Sequence, residues 1–334
     1  MAAKKKASAA QPFLMISNRN IEGKKNQNGY GLGSSLGDTT VFFECPGDGD
    51  SSDLSTWTEL TVDQFEERLK ELAGNFGDFS DEENEKQQHV TLFVHGFNVS
   101  WEDAVARYSE IKHRLFDARN LGVLILYTWP SNGSPAGYLP DREDARDSAE
   151  PIAELFVQLH DHLSQQIRDA AEGNGELCRA KVSIIAHSMG NYVVEKALAV
   201  AAKRLNSPQL ITLIHQLVMV AADVDNDLFQ KDKPLDSDGS LMANLCYRIG
   251  ALYTGLDPVL GASAGLKHFG TRRLGRSGLA DANSVWDNVF DFDVSAYVKG
   301  DKNIHSAVFE STDALNLVEQ ILRGVDRKVL KRDQ

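Results

Sequence analysis

The sequence predicts a doubly wound α/β fold, a mostly parallel sheet with helices on both faces. Three observations carry this. The runs 89–94, 123–129, 181–186 and 217–222 are apolar almost without interruption, as burial on both faces of a parallel sheet requires. Between them lie segments with apolar residues at helical spacing, so strand and helix alternate, and crossovers of that kind are right-handed. A chain of 334 residues with 42% hydrophobic content is also long enough for one large domain of this type or two modest ones.

The elements follow in order. Residues 13–17 and 40–44 read as two early strands joined by a Gly/Asn-rich segment, 26–37, and placed as an antiparallel edge. Residues 61–73 have helical spacing, and the charged stretch 81–88 is an exposed loop. The regular part starts at strand 89–94 with helix 101–116, then strand 123–129, ended by Pro130, with a long helical pattern over 142–171. Strand 181–186 with helix 192–205, strands 217–222, 246–253 and 288–292, and a closing helix at 314–322 complete it. No internal repeat is visible. Residues 1–12 read as a disordered basic lead and 13–330 as a single domain. A Gly-, Ala- and Ser-rich stretch at about 255–285 reads as a long loop or small cap insertion, with a basic knot at Lys267, His268, Arg272, Arg273 and Arg276.

Charge and composition exclude several classes. The net charge of −13 disfavours nonspecific nucleic-acid binding. No apolar run approaches the length needed to span a bilayer, so no stable membrane insertion is expected. The lysines near the N-terminus are followed by no apolar region, so a signal peptide is not expected. Cys45, Cys178 and Cys246 have neither even number nor close spacing, which fits a reducing, cytoplasmic setting without a disulfide framework or structural zinc. No histidine pair has ligand spacing; His160 and His162 fall on different helix faces. No metal or cofactor is expected.

Chemistry concentrates where strands end. Strand 181–186 runs directly into His187-Ser188-Met189-Gly190-Asn191, a strand–turn–helix junction with a serine at its apex. In so tight a turn the residues two before and two after the serine must be small. Ala186 and Gly190 meet that need, although alanine is one methyl larger than the usual glycine. This predicts Ser188 as a nucleophile with a helix N-terminus beneath it. Upstream, the His95-Gly96 pair at the end of strand 89–94 allows a sharp reversal that turns a backbone N–H into the same crevice. The N–H groups of Phe97 and Met189 are then the candidate oxyanion donors, with His95 a structural residue beneath the loop.

As a set, His95-Gly96-Phe97-Asn98, Tyr127-Thr128-Trp129-Pro130-Ser131, Ala186 to Asn191 and Val220-Ala221-Ala222-Asp223-Val224-Asp225 resemble the bacterial α/β-hydrolase family of unknown function known as DUF900. The likeness covers roughly residues 89–310. It implies the α/β-hydrolase fold and a serine-hydrolase triad, and no substrate.

In that fold the acid and then the base follow the serine. His215, His268 and His305 are the candidate bases. His215 lies at a buried strand and suits a core histidine, and His268 sits in the basic loop. His305, in a loop after the last strand, is late enough and mobile enough to be preferred. For the acid, Asp257 follows strand 246–253, and Asp223, with Asp225 nearby, follows the strand before. The resemblance favours Asp257, because it implies an aspartate ahead of an Arg-Leu-Gly segment, here Arg273-Leu274-Gly275. Asp223 and Asp225 otherwise suit helix capping and loop hydrogen bonds.

The expected chemistry is hydrolysis of an acyl ester or thioester of a small-molecule substrate through an acyl-enzyme. Acyl transfer on the same triad and a non-catalytic binding or scaffold role are the alternatives. Trp129 and Tyr138, beside Gly133, Ser134, Pro135 and Gly137, are candidate substrate contacts. Arg272, Arg273 and Arg276 suit either an anionic substrate or salt bridges.

Overall fold

In a computed structural model, residues 10–25, 27, 29–74, 76, 87–131, 138–174, 181–206 and 211–330 are described, except for the side chains of residues 266 and 267. Residues 1–9 of the expected lead, 81–86 of the charged loop, Cys178, and Gly133, Ser134, Pro135 and Gly137 lie outside them, as does the side chain of Lys267.

The strands are β1 (Phe13–Glu22), β2 (Gly31–Cys45), β3 (Thr58–Leu60), β4 (His89–Val94), β5 (Gly122–Thr128), β6 (Lys181–His187), β7 (Ile214–Val220), β8 (Cys246–Tyr253) and β9 (Val289–Asp293). They form one sheet in the order β3-β2-β1-β5-β4-β6-β7-β8-β9. All pairings from β1–β5 to β8–β9 are parallel, and β1–β2–β3 is antiparallel. The apolar runs therefore sit where burial on both faces demands them, and the mostly parallel α/β sheet is as expected.

Local differences have physical causes. β2 begins at Gly31, inside the segment expected to be a connection, because this segment continues the pairing along β1, Leu36 opposite Arg19 and Leu32 opposite Ile21. β1 and β2 form the expected antiparallel edge, extended outward by β3, and β1 joins it to the parallel strands through β5. The helical pattern at 142–171 is two helices that part at Ser148, α3 (Tyr138–Asp147) and α4 (Ala149–Ala171). The preceding helices are α1 (Val62–Gly74) and α2 (Trp101–Ile111), and α5 (Gly190–Leu205) follows β6. Strand side chains divide between two cores. Leu14, Ile16, Leu92 and Val94 join α4 and α5 on one face. Phe13, Met15 and Phe93 join α2 and the helix Thr312–Leu322 on the other. The stretch near 255–285 folds into short helices, Pro258–Ala262 and Leu274–Ser277, tied to the ends of β7 and β8. Cys45 and Cys246 are free and buried. No helix among the described residues is long and apolar enough to cross a membrane.

At the opposite end of the sheet from the elbow, His89 Nδ1 bonds Ser183 Oγ at 2.7 Å and its ring lies 5.5 Å from that of His215. Burial, with the charges of His215, Lys181 and Arg323, pushes His89 down to about 3 from 6.5. Burial and the charges of Lys181 and Arg248 lower His215 to about 4. Both are neutral in the fold, whereas the unfolded chain binds protons at these positions below about pH 6.5. Stability is thus unaffected by them above that pH and falls as pH drops toward the folded values. His89 contributes up to ~1.4 kcal/mol per pH unit. Urea denaturation between about pH 7 and 5 should show the loss, with a shallower slope for His89→Gln. An identical slope in the variant would exclude His89 as its source.

Candidate active site

β6 delivers Ser188 at a backbone φ of +53°, the left-handed region that a side chain normally avoids. Three contacts hold it there. The Ser188 N–H donates to Val220 O at 3.0 Å, and its carbonyl accepts from Asp223 N at 3.2 Å and from Asn191 N at 3.1 Å. The Asn191 side-chain amide donates to Ala186 O and Ser188 O at 3.0 and 3.1 Å, closing the turn from below. Gly190 is required because a Cβ there would stand 2.4 Å from His95 O and 2.5 Å from Val94 O. Nearby Ala221 is also left-handed, at φ +44°. Such strain gathers where surrounding structure over-determines the backbone.

The His95-Gly96 turn abuts the serine: a Cβ on Gly96 would lie 2.7 Å from Ser188 Cβ. Proton positions under the turn follow from its partners. Gly96 O can only accept, so His95 Nδ1 carries the proton of their 2.9 Å bond. Trp129 N can only donate, so His95 Nε2 accepts from it at 3.2 Å. Arg19 Nε donates to Thr128 Oγ1 at 2.8 Å, and Thr128 gives its own proton to His95 Nε2 at 3.1 Å. Burial foremost, then the Arg19 charge, keeps His95 well below the usual histidine value, hence neutral. Because a trans peptide is planar, fixing the Gly96 carbonyl aims the Phe97 N–H the opposite way. Among the described residues, neither Phe97 N–H nor Met189 N–H donates a hydrogen bond.

Asp257 and His305 meet. Asp257 caps the helix Pro258–Ala262 with Oδ1, which accepts from Val259 N and Leu260 N, and its Oδ2 binds His305 Nδ1 at 2.7 Å. Burial works to raise this carboxyl. The bond and charge of His305 and the two backbone N–H groups outweigh it and hold the group below the ordinary range. His305 is buttressed by His187, whose ring lies 4.9 Å away and whose Nε2 donates to His305 O at 2.9 Å. No hydrogen bond joins Ser188 Oγ to His305 among the described residues.

A second network lies on the α3 and α5 side of the sheet. Asp223 Oδ1 accepts from Arg273 Nε and Ser263 Oγ, both at 2.9 Å, and Oδ2 accepts from Tyr138 OH at 2.7 Å. Arg273, wholly buried, also binds Asp225. Burial would raise Asp223, but the Arg273 charge and these bonds hold it below the usual carboxylate value. An ionised Asp223 only accepts, so Tyr138 donates to it, and His268 Nε2 donates to the tyrosine oxygen at 2.6 Å. The Phe97 ring packs on Tyr138 with centroids 5.4 Å apart.

Residues 75–327 match the family described as an alpha/beta hydrolase of unknown function, DUF900. The chain belongs to this family. A curated relative, the uncharacterized protein alr1448 of Nostoc sp. strain PCC 7120, is 23% identical over 171 residues, which are 45% of this chain and 38% of that protein. Solved structures with a similar arrangement include lipase B of Aspergillus fumigatus, at 12% identity over 77% of this chain and 57% of that one, TM-score 0.39. Phospholipase PlaB of Legionella pneumophila gives 14% identity over 73% of this chain and 62% of that one, TM-score 0.41. The DUF900 chain thus spans less than two thirds of these proteins.

In this DUF900 chain, Ser188, Met189, Phe97 and Asp257 follow the C-terminal ends of the parallel strands β6, β4 and β8, and His305 meets Asp257 there. Two expectations change. Trp129, a candidate substrate contact, is fully buried beneath the His95 turn, its Nε1 donating to His95 O at 2.9 Å. Asp223, the alternative acid, has both oxygens engaged away from His305. Of the basic knot, Arg273 is buried on Asp223 and Asp225, Arg276 is half-buried and binds the Asp257 carbonyl, and Arg272 is exposed. His215 stacks on Tyr247 within β7–β8, away from the elbow. Sequence reading missed Arg19, Thr128 and Ser263, whose roles depend on partners far along the chain; Arg19 lies in the polar run Ser17-Asn18-Arg19-Asn20 beyond the expected strand 13–17, so nothing local marked it. Among the described residues, no cluster of three or more His, Cys, Asp or Glu could hold a metal ion.

Asp223→Asn would leave the buried Arg273 charge with only its distal partner Asp225. A loss of about 3–5 kcal/mol is expected in urea unfolding, as for removing one side of a buried pair. A cost below about 1 kcal/mol would mean that Arg273 does not depend on Asp223.

Proposed function

We propose that this DUF900 protein is a serine hydrolase that cleaves acyl esters or thioesters of small molecules through an acyl-enzyme. The observation that carries the reading is the 2.7 Å Asp257–His305 bond beside a serine in a strained left-handed turn. Asp257 accepts the Nδ1 proton, which leaves His305 Nε2 with its lone pair for the Ser188 proton. Substrate binding draws His305 onto Ser188, since such contacts often tighten only in the complex.

Ser188 Oγ then attacks the acyl carbonyl. The N–H groups of Phe97 and Met189 receive the negative oxygen, and the imidazolium returns its proton to the leaving group. Water, activated by the same histidine, releases the acid. The chain from Arg19 through Thr128 and His95 to Gly96 O keeps the Phe97 N–H aimed before substrate arrives, so no reorganisation is needed in the transition state.

A fluorophosphonate probe should label the folded wild type and leave Ser188→Ala unlabelled, and p-nitrophenyl esters should be cleaved only by the former. Labelling that persists without Ser188 overturns the reading. Asp257→Asn should lower kcat by about 10⁴, as loss of the correct histidine tautomer does. Thr128→Val, nearly isosteric, should lower kcat by up to about 10² with KM little changed, because the donor it aligns acts in the transition state. A rise in KM alone would contradict that role.

A further inference from the structure

Among the described residues, the Arg142 guanidinium has a buried nitrogen that no hydrogen bond satisfies. Arg142 lies one turn beyond Tyr138 on α3, so the two share a helix face. Its guanidinium carbon stands 3.7 Å from the centre of the Tyr192 ring, four residues after Ser188. Its Nη1 is closed off from solvent and makes no hydrogen bond among the described residues. An unsatisfied buried donor on a charged group is costly, and the buried guanidiniums of Arg19 and Arg273 are well supplied, the first by Thr128, Gly33 and Val99, the second by Asp223 and Asp225. The acids that feel the Arg142 charge are committed elsewhere. Asp223 is held by Arg273, Ser263 and Tyr138, and Glu195 binds Lys196. The same charge acts on Tyr138 and His268, members of the polar wall on which the Phe97 ring packs and which binds the Ser188 turn through Asp223 N.

The geometry points to Arg142 as the anchor for an anionic group, a carboxylate or phosphate, carried by the substrate of Ser188. This rests on the hydrolase reading. Stacking on Tyr192 fixes the plane of the guanidinium, and Nη1 is left to make a charge-assisted bond to an oxyanion. The neighbouring donors are already used, Tyr138 O–H on Asp223 and His268 Nε2–H on Tyr138, so discrimination falls on Arg142. On a chain of net charge −13 the general field repels anions, which makes a single local cation decisive for accepting one.

The test compares p-nitrophenyl butyrate with p-nitrophenyl hemisuccinate, its acyl chain ending in a carboxylate, on wild type, Arg142→Gln and Arg142→Lys. The ratio of kcat/KM for the anionic over the neutral ester should fall about tenfold to a hundredfold in Arg142→Gln and partly recover in Arg142→Lys. Equal losses on both esters would indicate a merely structural role and overturn the proposal. Succinate and inorganic phosphate, used separately, should slow fluorophosphonate labelling of wild type and not of Arg142→Gln; the stronger competitor identifies the group, and protection by neither overturns the site. If wild type is not labelled at all, the hydrolase reading fails. Direct titration with the same two anions, followed by thermal shift, then still decides the anion site: a wild-type shift lost in Arg142→Gln supports it, and no shift overturns it.

Discussion

The crevice depends on a backbone conformation that Ser188 would not adopt alone. A non-glycine residue at positive φ is held there only when its surroundings leave no alternative, and here they come from the ends of β7 and β4 and the first turn of α5. Val220 accepts its N–H, Asp223 and Asn191 bind its carbonyl, and β4 presses so closely that Gly190 has no room for a side chain. The same tightness recurs where Gly275, in the Arg-Leu-Gly segment, packs against the backbone of Ala221 and Ala222, 2.1 Å from Ala222 N to where a Cβ would stand. These close approaches fix the spacing between the ends of β4, β6 and β7, and with it the relation of the serine to the Gly96–Phe97 peptide.

Around this turn the polar groups divide by face of the sheet. Asp257, His305 and His187 belong with the α2 side, where Phe309 packs against His187 at 5.4 Å. Asp223, Arg273, Tyr138 and His268 belong with the α3 and α5 side. The division explains how two aspartates, one strand apart, take different parts. Asp257 faces a titratable imidazole with one oxygen and a helix N-terminus with the other. Asp223 faces a guanidinium that is always charged, so its bonds are permanent. The first arrangement suits proton traffic, and the second suits a fixed wall. The Arg142 charge acts on that wall, and its Nη1 has no hydrogen-bond partner among the described residues.

Much of this was legible before the fold. β4 and β8 have the bounds that their apolar runs suggest, because a strand buried on both faces leaves no freedom in where the polar residues fall. Ser188, Gly190 and Gly96 were legible because steric demand at a tight turn selects residue type directly. The choice of Asp257 and His305 followed from chain order in a resembling family together with loop position, and the structure brings those two side chains into contact. Trp129 was misjudged because an indole reads the same in sequence whether it lines a pocket or supports a turn from beneath.

The sequence by itself determined the alternation of buried strands and helices, the elbow serine and the glycine positions, since periodicity and steric size are local properties of the chain. Only the tertiary structure decided which carboxylate meets His305, that Arg19 reaches Thr128 across 109 positions, and that Arg142 Nη1 finds no hydrogen-bond partner among the described residues. Hydrogen bonds and ion pairs between distant residues depend on distances of a fraction of an ångström, which no spacing along the chain encodes.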